Sequence, residues 1–170
     1  MKRFRMDNCK PVPTLVTTGT KLSKDDEGSD VNPNLLKGLV GNLMYLIAKR
    51  PDIMQGVSLI SKFMETLKDT HWSVGKIILR YIVVTRDYGI MYASTEKKEL
   101  IGYTDSDFSS SLDDRKSTSG YVFHLGSGVI AWASKNHPIV TLSSAEVEYV
   151  AETLAACQTV WLRRVLDGLK

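Results

Sequence analysis

The spacing of apolar residues changes twice along this 170-residue chain, and these changes constrain the fold more than any other feature of the sequence. From about residue 34 to residue 84, apolar residues recur every three or four positions, which is typical of amphipathic helices. From residue 100 to residue 134 they fall in short runs bounded by turn signals, which is typical of strands. Helical spacing returns from residue 143. Helices, then strands, then a helix predict an α+β fold.

Three helices are predicted in the first part of the chain. The first follows Asn32 and Pro33 and stops before Pro51. Asp52 is predicted to cap the second helix and Thr70 the third, because short polar side chains bond the free amides of a helix N-terminus. Each helix carries a wide apolar stripe, so the three are expected to pack together.

The second part of the chain is predicted to contain strands and one long helix. Strand-like runs lie at residues 88–92, 100–107, 120–125 and 129–134. The glycines at 126 and 128 favour a hairpin turn, because glycine reaches the positive φ that tight turns need. A helix is predicted from residue 143 to Gly168, which is a natural C-terminal cap. The last three strands and this helix are predicted to form a three-stranded antiparallel meander followed by a long helix.

Polar, turn-rich stretches divide the chain into three parts. Residues 1–33 are predicted to be a linker or a surface strap, and residues 34–93 form the helical segment. A polar break precedes the third part, residues 98–170. The net charge of +3 permits binding to a polyanion without requiring it.

The cysteines and the apolar runs give weak evidence on the cellular compartment. Cys9 and Cys157 have no metal-binding spacing and are expected to be free thiols in a reducing environment. The first residues do not resemble a secretory signal, and no apolar run is long enough to span a bilayer. These features favour the cytosol or the nucleus.

The candidate functional site consists of acidic residues on the strand at 100–107. Side chains alternate along a strand, so Tyr103, Asp105 and Asp107 share one face. Mg²⁺ prefers carboxylate oxygens together with water and phosphate. The two aspartates therefore favour a divalent-metal site, while solvated acids at a frayed strand end are the alternative.

A second source of carboxylates is the start of the long helix. Ser143 and Glu146 fit a Ser-x-x-Glu capping box, in which Glu146 reaches back to the amide of Ser143. That role occupies Glu146 and leaves Glu148 free for another. Taken alone, Glu148 is more simply interpreted as an unpaired surface acid.

Other residues that could carry chemistry give weaker signals. His124 lies in a predicted strand and His137 in a loop, and no Ser-His-Asp spacing supports a hydrolase. Several basic residues could contact phosphates, although solvated positions are the commoner role; they are Arg115, Lys116, Lys135, Arg163 and Arg164. The three tryptophans lie on apolar faces and are predicted to be core residues: Trp72, Trp132 and Trp161.

Three motifs in the second half resemble a known family. They are Tyr-Thr-Asp-Ser-Asp at 103–107, Asp-Asp-Arg-Lys-Ser-Thr-Ser-Gly at 113–120, and Leu-Ser-Ser-Ala-Glu-Val-Glu-Tyr at 142–149. In order and spacing they resemble the ribonuclease H region of copia-type LTR retrotransposon Pol polyproteins. Runs at 3–12, 39–46, 50–53, 71–72 and 78–81 resemble the end of that family's reverse transcriptase, its thumb and connection region. The resemblance covers nearly the whole chain.

The resemblance implies a fold, a reaction and a set of site residues. The fold is a partial ribonuclease H-like fold, and the reaction is cleavage of the RNA strand of an RNA–DNA hybrid with two Mg²⁺ ions. Asp105 is implied as the carboxylate that bridges the ions and Glu148 as a second ligand, with Asp107 as the reserve candidate on the strand. The hybrid and the rest of the Pol polyprotein are the implied partners, and virus-like particles are the family's location.

The resemblance also implies an incomplete site. The family's third acid lies on a fourth strand, in an Asp-Asn-x-Ser-Ala segment, and the sequence stops at Lys170 before such a strand. Loss of even an outer partner of a metal site lowers affinity about 10- to 100-fold, so a missing ligand is expected to cost more. We therefore expect a truncated polyprotein piece with weak or no activity of its own. The alternatives are a non-catalytic remnant that binds nucleic acid or a partner, and a chain that does not fold stably.

Overall fold

The computed structural model describes residues 4, 6, 9–15, 20–94 and 99–169. The chain divides into two compact units, Met1–Ile90 and Met91–Lys170. The first is helical, and the second contains a sheet and a long helix. The predicted α+β fold is confirmed, with helices first, an antiparallel meander next and a long helix last.

The described residues of the first unit form three α-helices: α1 (Pro33–Leu46), α2 (Met54–Ser61) and α3 (Asp69–Val84). The side chain of Asn32 caps α1 by accepting a hydrogen bond from the amide of Asn34 at 2.9 Å. Pro33 is tolerated behind this cap because its missing N–H would have no helical partner there. The helices share one apolar core, as predicted, and its fully buried members are Leu36, Leu39, Ile53, Val57, Ile60, Phe63 and Ile78.

Two predicted helix caps are wrong. Asp52 lies inside a short 3₁₀ turn, Pro51–Ile53, that precedes α2, and its carboxylate bonds the side chain of Arg50 instead of helix amides. The third helix starts before Thr70, at Asp69. The hydroxyl of Thr70 is buried and has no hydrogen-bond partner among the described residues.

His71 takes part in closing the start of α3. Its Nδ1 accepts a hydrogen bond from the amide of Lys68 at 3.1 Å, and its Nε2 lies 2.8 Å from the carbonyl oxygen of Ser23. The amide of Val31 donates to the carbonyl of Leu67 at 3.0 Å. These hydrogen bonds hold the segment before α1 against the helices at Ser23 and Val31.

The second unit contains β1 (Leu100–Asp107), β2 (Thr118–Leu125), β3 (Gly128–Asn136) and α4 (Ser144–Asp167). The strands form an antiparallel sheet in the order β1-β2-β3. The predicted strand at 88–92 is wrong, since those residues adopt no regular structure. A side chain holds this segment instead, because the phenol of Tyr92 donates to the carbonyl of Val129 at 2.7 Å.

One face of the sheet is covered by α4. Among the described residues, the buried apolar side chains of this unit are those of Phe123, Val147, Ala151 and Leu162. Trp161, predicted to be core, is 56% exposed, so that prediction is wrong. Within the described residues, no helix has the length and apolar character needed to cross a bilayer.

Candidate functional site

Thr104 connects β1 to both its neighbours. Its hydroxyl donates to the carbonyl of Gly120 on β2 at 2.9 Å, and the carbonyl oxygen of Ala151 on α4 lies 3.4 Å from the same atom. A hydroxyl carries one hydrogen, so the shorter contact is the hydrogen bond and the longer one a weak second interaction. Thr104 therefore lies on the face of β1 that α4 covers.

Asp105 and Asp107 lie on the opposite face of β1. Side chains alternate along a strand, so the neighbours of Thr104 project away from α4. Both aspartates are exposed, and in register they stand opposite Gly120 and Thr118 of β2. Because glycine has no side chain, the face beside Asp105 is open.

Tyr103 shares the face of Asp105. Its ring meets that of His124 edge-on, with the centroids 6.0 Å apart. The two aromatic rings border the acidic end of the strand on this side. His124 is half-buried in β2 and has no role beyond this contact that the geometry suggests.

The start of α4 is fixed by Ser143 and Glu146. The hydroxyl of Ser143 accepts a hydrogen bond from the amide of Glu146 at 3.2 Å, and Oε2 of Glu146 accepts from the amide of Leu142 at 2.6 Å. The predicted cap exists, although Glu146 bonds the amide one residue before the expected one. Glu148, in the next turn, is exposed.

Asp105 and Glu148 belong to neighbouring stretches of backbone. Asp105 follows Thr104, and Glu148 lies about one helical turn before Ala151, whose carbonyl Thr104 approaches. Among the described residues, neither carboxylate has a hydrogen bond or an ion pair. Both are free to bind a cation, although the side chain of Asp105 starts from the face that α4 does not cover.

The described residues fit a metal site only in part. No group of three or more His, Cys, Asp or Glu residues in that part of the chain could hold an ion. Magnesium keeps several waters and often takes only one or two protein carboxylates, so Asp105 and Glu148 suit that ion as single ligands. A site with two ions needs more ligands than these residues supply.

A buried polar cluster at the start of β2 was missed by the sequence analysis. The hydroxyls of Ser117 and Thr141 are 2.9 Å apart, and Ser119 Oγ lies 2.6 Å from Nε2 of His137. All four residues are buried. The Ser-Thr-Ser motif could have indicated this cluster, because alternation along a strand places the hydroxyls of Ser117 and Ser119 on the same face.

This cluster anchors the loop between β3 and α4. The amide of His137 donates to the carbonyl of Ser117 at 2.8 Å, which continues the ladder past the end of β3. The Nδ1 atom of His137 is buried without a hydrogen-bond partner among the described residues. Among the described residues no carboxylate bonds the imidazole, so the Ser119–His137 pair lacks the third member of a hydrolase triad there.

The loop from β1 to β2 presents basic residues. Ser109 and Arg115 have left-handed backbone conformations, with φ of +50° and +56°. The pKa of Asp114 lies below its usual value, mainly because of a hydrogen bond with Ser111. The amide and the charge of Lys116 lower this pKa further, while partial desolvation acts in the opposite direction. Arg115 is exposed at the tip of this loop.

Comparison with known proteins shows relatives that match most or nearly all of the chain. A retrovirus-related Pol polyprotein from transposon TNT 1-94 of Nicotiana tabacum is 37% identical over 99% of this chain and 13% of that protein. One from transposon RE2 of Arabidopsis thaliana is 34% identical over 99% of this chain and 12% of that protein. A secreted RxLR effector protein 161 of Plasmopara viticola is 40% identical over 72% of this chain and 87% of that protein. No protein-family model and no solved structure matches the chain.

The fold is α+β, and the chain is similar to a segment of transposon Pol polyproteins. Over nearly its whole length the chain is related to retrovirus-related Pol polyproteins from transposons. It spans about an eighth of the length of the polyproteins it matches.

Proposed function

We propose that the first unit corresponds to the thumb and connection region of a reverse transcriptase and the second to part of a ribonuclease H domain. The ancestral reaction is Mg²⁺-dependent cleavage of the RNA strand of an RNA–DNA hybrid during reverse transcription. The supporting observation is the similarity of nearly the whole chain to transposon Pol polyproteins, together with a meander followed by a long helix, in which Thr104 holds the strand of Asp105 against the helix of Glu148. The rest of the polyprotein is the natural partner.

Asp105 and Glu148 are the residues that would hold Mg²⁺, with Asp107 as the alternative on the strand. When bound, paired Mg²⁺ ions activate a water molecule and stabilise the leaving oxygen of the phosphodiester. Other residues of the chain position the elements that carry these carboxylates. Thr104 holds β1 in place beside the helix, and Glu146 caps the start of α4, which leaves Glu148 free. Asp105 starts on the face of β1 that α4 does not cover, so the two carboxylates would have to approach each other to share an ion.

Weak activity, or none, is proposed for the chain alone. The described residues gather fewer than three candidate ligands in any one place, and two closely spaced cations need more negative charge than that. Even outer partners of a metal site contribute about 10- to 100-fold in affinity or rate.

The test uses a labelled RNA–DNA hybrid and Mg²⁺. The chain alone is expected to cleave slowly or not at all. A fusion to the segment that follows the matching region in the Nicotiana tabacum polyprotein is expected to cleave, and Asp105→Asn or Glu148→Gln should abolish that cleavage. Glu152→Gln, an exposed acid one turn further along α4, is the matched control and should leave it unchanged. Cleavage by the fusion that persists in both site variants would refute the proposed residues.

The exposed basic residues favour a second function, which is non-catalytic binding of nucleic acid. Arg163 and Arg164 are exposed on α4, and Arg115 is exposed at the loop tip. This function predicts hybrid binding that weakens steeply with salt, because phosphate contacts release counterions. Binding would then be insensitive to Asp105→Asn and would fall when Arg163 and Arg164 are replaced by Ala.

A further inference from the structure

Helix α4 carries a second apolar stripe besides the one that contacts the sheet. The buried stripe contains Val147, Ala151 and Leu162. The second stripe contains Val150, Leu154, Cys157 and Trp161, and its steps of four, three and four residues keep it on one side of a helix.

No described element covers this second stripe. Leu154 is 37% exposed and Trp161 is 56% exposed, while Cys157 is also exposed and Val150 is half-buried. A surface helix normally has one apolar stripe, so a second one indicates a second packing partner.

Opposite charges lie at the two ends of the second stripe. Glu146 precedes Val150 by four residues, and Arg164 follows Trp161 by three, so both lie on the same side of the helix as the stripe. Glu146 uses Oε2 in the cap, and a carboxylate has lone pairs for further bonds. Arg164 is exposed.

We propose that this stripe binds the same stripe of a second copy of the chain, with the two α4 helices antiparallel. The spacing from Val150 to Trp161 is the same when read in either direction. A two-fold axis between Leu154 and Cys157 therefore sets Val150 against Trp161 of the partner subunit and Leu154 against Cys157 of the partner subunit.

The charges select the antiparallel orientation. In that alignment Glu146 of each copy lies within one residue of the level of Arg164 of the partner subunit, at both ends of the contact. A parallel alignment would place Glu146 beside the partner's Glu146 and Arg164 beside the partner's Arg164, and like charges at such positions are destabilising. A C2 contact of this kind uses the same surface on both subunits.

The contact is small, and the dimer is therefore weak. A standard stable interface buries about 800 Å² per partner, and four side chains with two exposed ion pairs fall short of that area. We expect a dissociation constant of roughly 100 µM, which is the range of weak, transient contacts.

Sedimentation equilibrium between about 10 µM and about 1 mM tests for association. The mass should rise from that of the monomer toward twice that value, and Trp161→Glu should weaken association by at least about 10-fold, because it replaces the largest apolar side chain of the contact by a charge. Arg163→Glu is the matched control, because Arg163 is exposed on the far side of the helix. Circular dichroism verifies that both variants are folded. A wild-type chain that stays monomeric over the whole range would overturn the proposal.

Cysteine cross-linking tests the orientation. Two chains are prepared with Cys9→Ser; one keeps Cys157, and the other carries Leu154→Cys and Cys157→Ser. After mixing and mild oxidation with oxidised glutathione, the antiparallel contact predicts a mixed disulfide in at least about 10-fold excess over either homodimer. Homodimers linked through Cys157 alone, in equal or greater amount, would contradict the antiparallel arrangement.

Discussion

Arg50 and Asp52 form a two-pronged hydrogen-bonded ion pair, with Nε–Oδ1 at 2.8 Å and Nη2–Oδ2 at 2.6 Å. The arginine side chain is 7% exposed and the aspartate side chain 31% exposed. Arg50 also donates to the carbonyl and the hydroxyl of Thr85, at 2.9 and 2.6 Å. One guanidinium therefore ties the turn before α2 to the residue that ends α3.

Replacing Arg50 by Met should destabilise the first unit by about 2–4 kcal/mol, because the partners of a buried guanidinium are left unpaired. Chemical denaturation measures the free energy of unfolding. Arg86→Met is the matched control: Arg86 faces Asp87 at 3.9 Å with both side chains largely exposed, so its loss should change stability by less than about 1 kcal/mol. Equal effects of the two substitutions would contradict a structural role for the Arg50–Asp52 pair.

The same pair should make stability depend on acidic pH. Desolvation raises the pKa of Asp52, but the hydrogen bonds from Arg50 and Tyr81, together with the charge of Arg50, outweigh it and leave that pKa below its usual value of 3.8. A depressed pKa in the folded state contributes stability above the unfolded-state value, and the contribution is lost as the pH falls through the folded value.

We therefore expect Asp52→Asn to be less stable than the wild type near neutral pH by about 1–3 kcal/mol and the difference to shrink below about pH 4. Urea denaturation at pH 7 and pH 3 measures it. A difference that stays constant between these pH values would show that the charge of Asp52 is not responsible.

His71 should hold the segment before α1 in place. It is fully buried, stacked on Phe63 with the ring centroids 4.1 Å apart, and hydrogen-bonded on both ring nitrogens. His71→Phe keeps an aromatic ring at this position but removes both hydrogen bonds, which should lower the free energy of unfolding by about 1–3 kcal/mol. Amide hydrogen exchange should speed up at residues 22–31 more than in α1; an unchanged exchange rate there would argue against this role.

Gly102 should tolerate no larger residue. It stands opposite Phe123 in the sheet, and an added Cβ would collide with the ring of Phe123, which is buried. Gly102→Ala should destabilise the second unit by about 1–3 kcal/mol, as overpacking does. Gly41→Ala, on an open face of α1, is the control and should stabilise by about 0.5–1 kcal/mol. Thermal unfolding of both variants measures these opposite shifts.

Local signals in the sequence were sufficient to predict most elements. The run 100–107 was predicted as a strand and is β1, and the helix predicted from residue 143 to Gly168 is α4 with its caps. The caps at Asp52 and Thr70 were wrong because neighbouring side chains take other roles there: Arg50 binds the carboxylate of Asp52, and His71 bonds the amide of Lys68 at the start of α3, before Thr70.

The candidate site was harder to predict from spacing alone. Alternation gave the shared face of Tyr103, Asp105 and Asp107, but only the contact of Thr104 with α4 shows which face the helix covers. The exposure of Trp161 also could not be foreseen, because a helix with two apolar stripes does not reveal which one contacts the sheet. The buried Ser119–His137 contact joins residues on different elements, a pairing that local patterns do not encode.

Strand β1 is the first in the sheet order, and in the described part of the chain no strand lies on its outer side. Half of its amides and carbonyls therefore point to solvent and can extend the sheet with any strand of suitable register. The same unpaired amides and carbonyls therefore affect both the solubility of the isolated protein and its capacity to accept a further strand from a longer polypeptide. Substitutions that block this edge to improve expression would be expected to prevent such an addition as well.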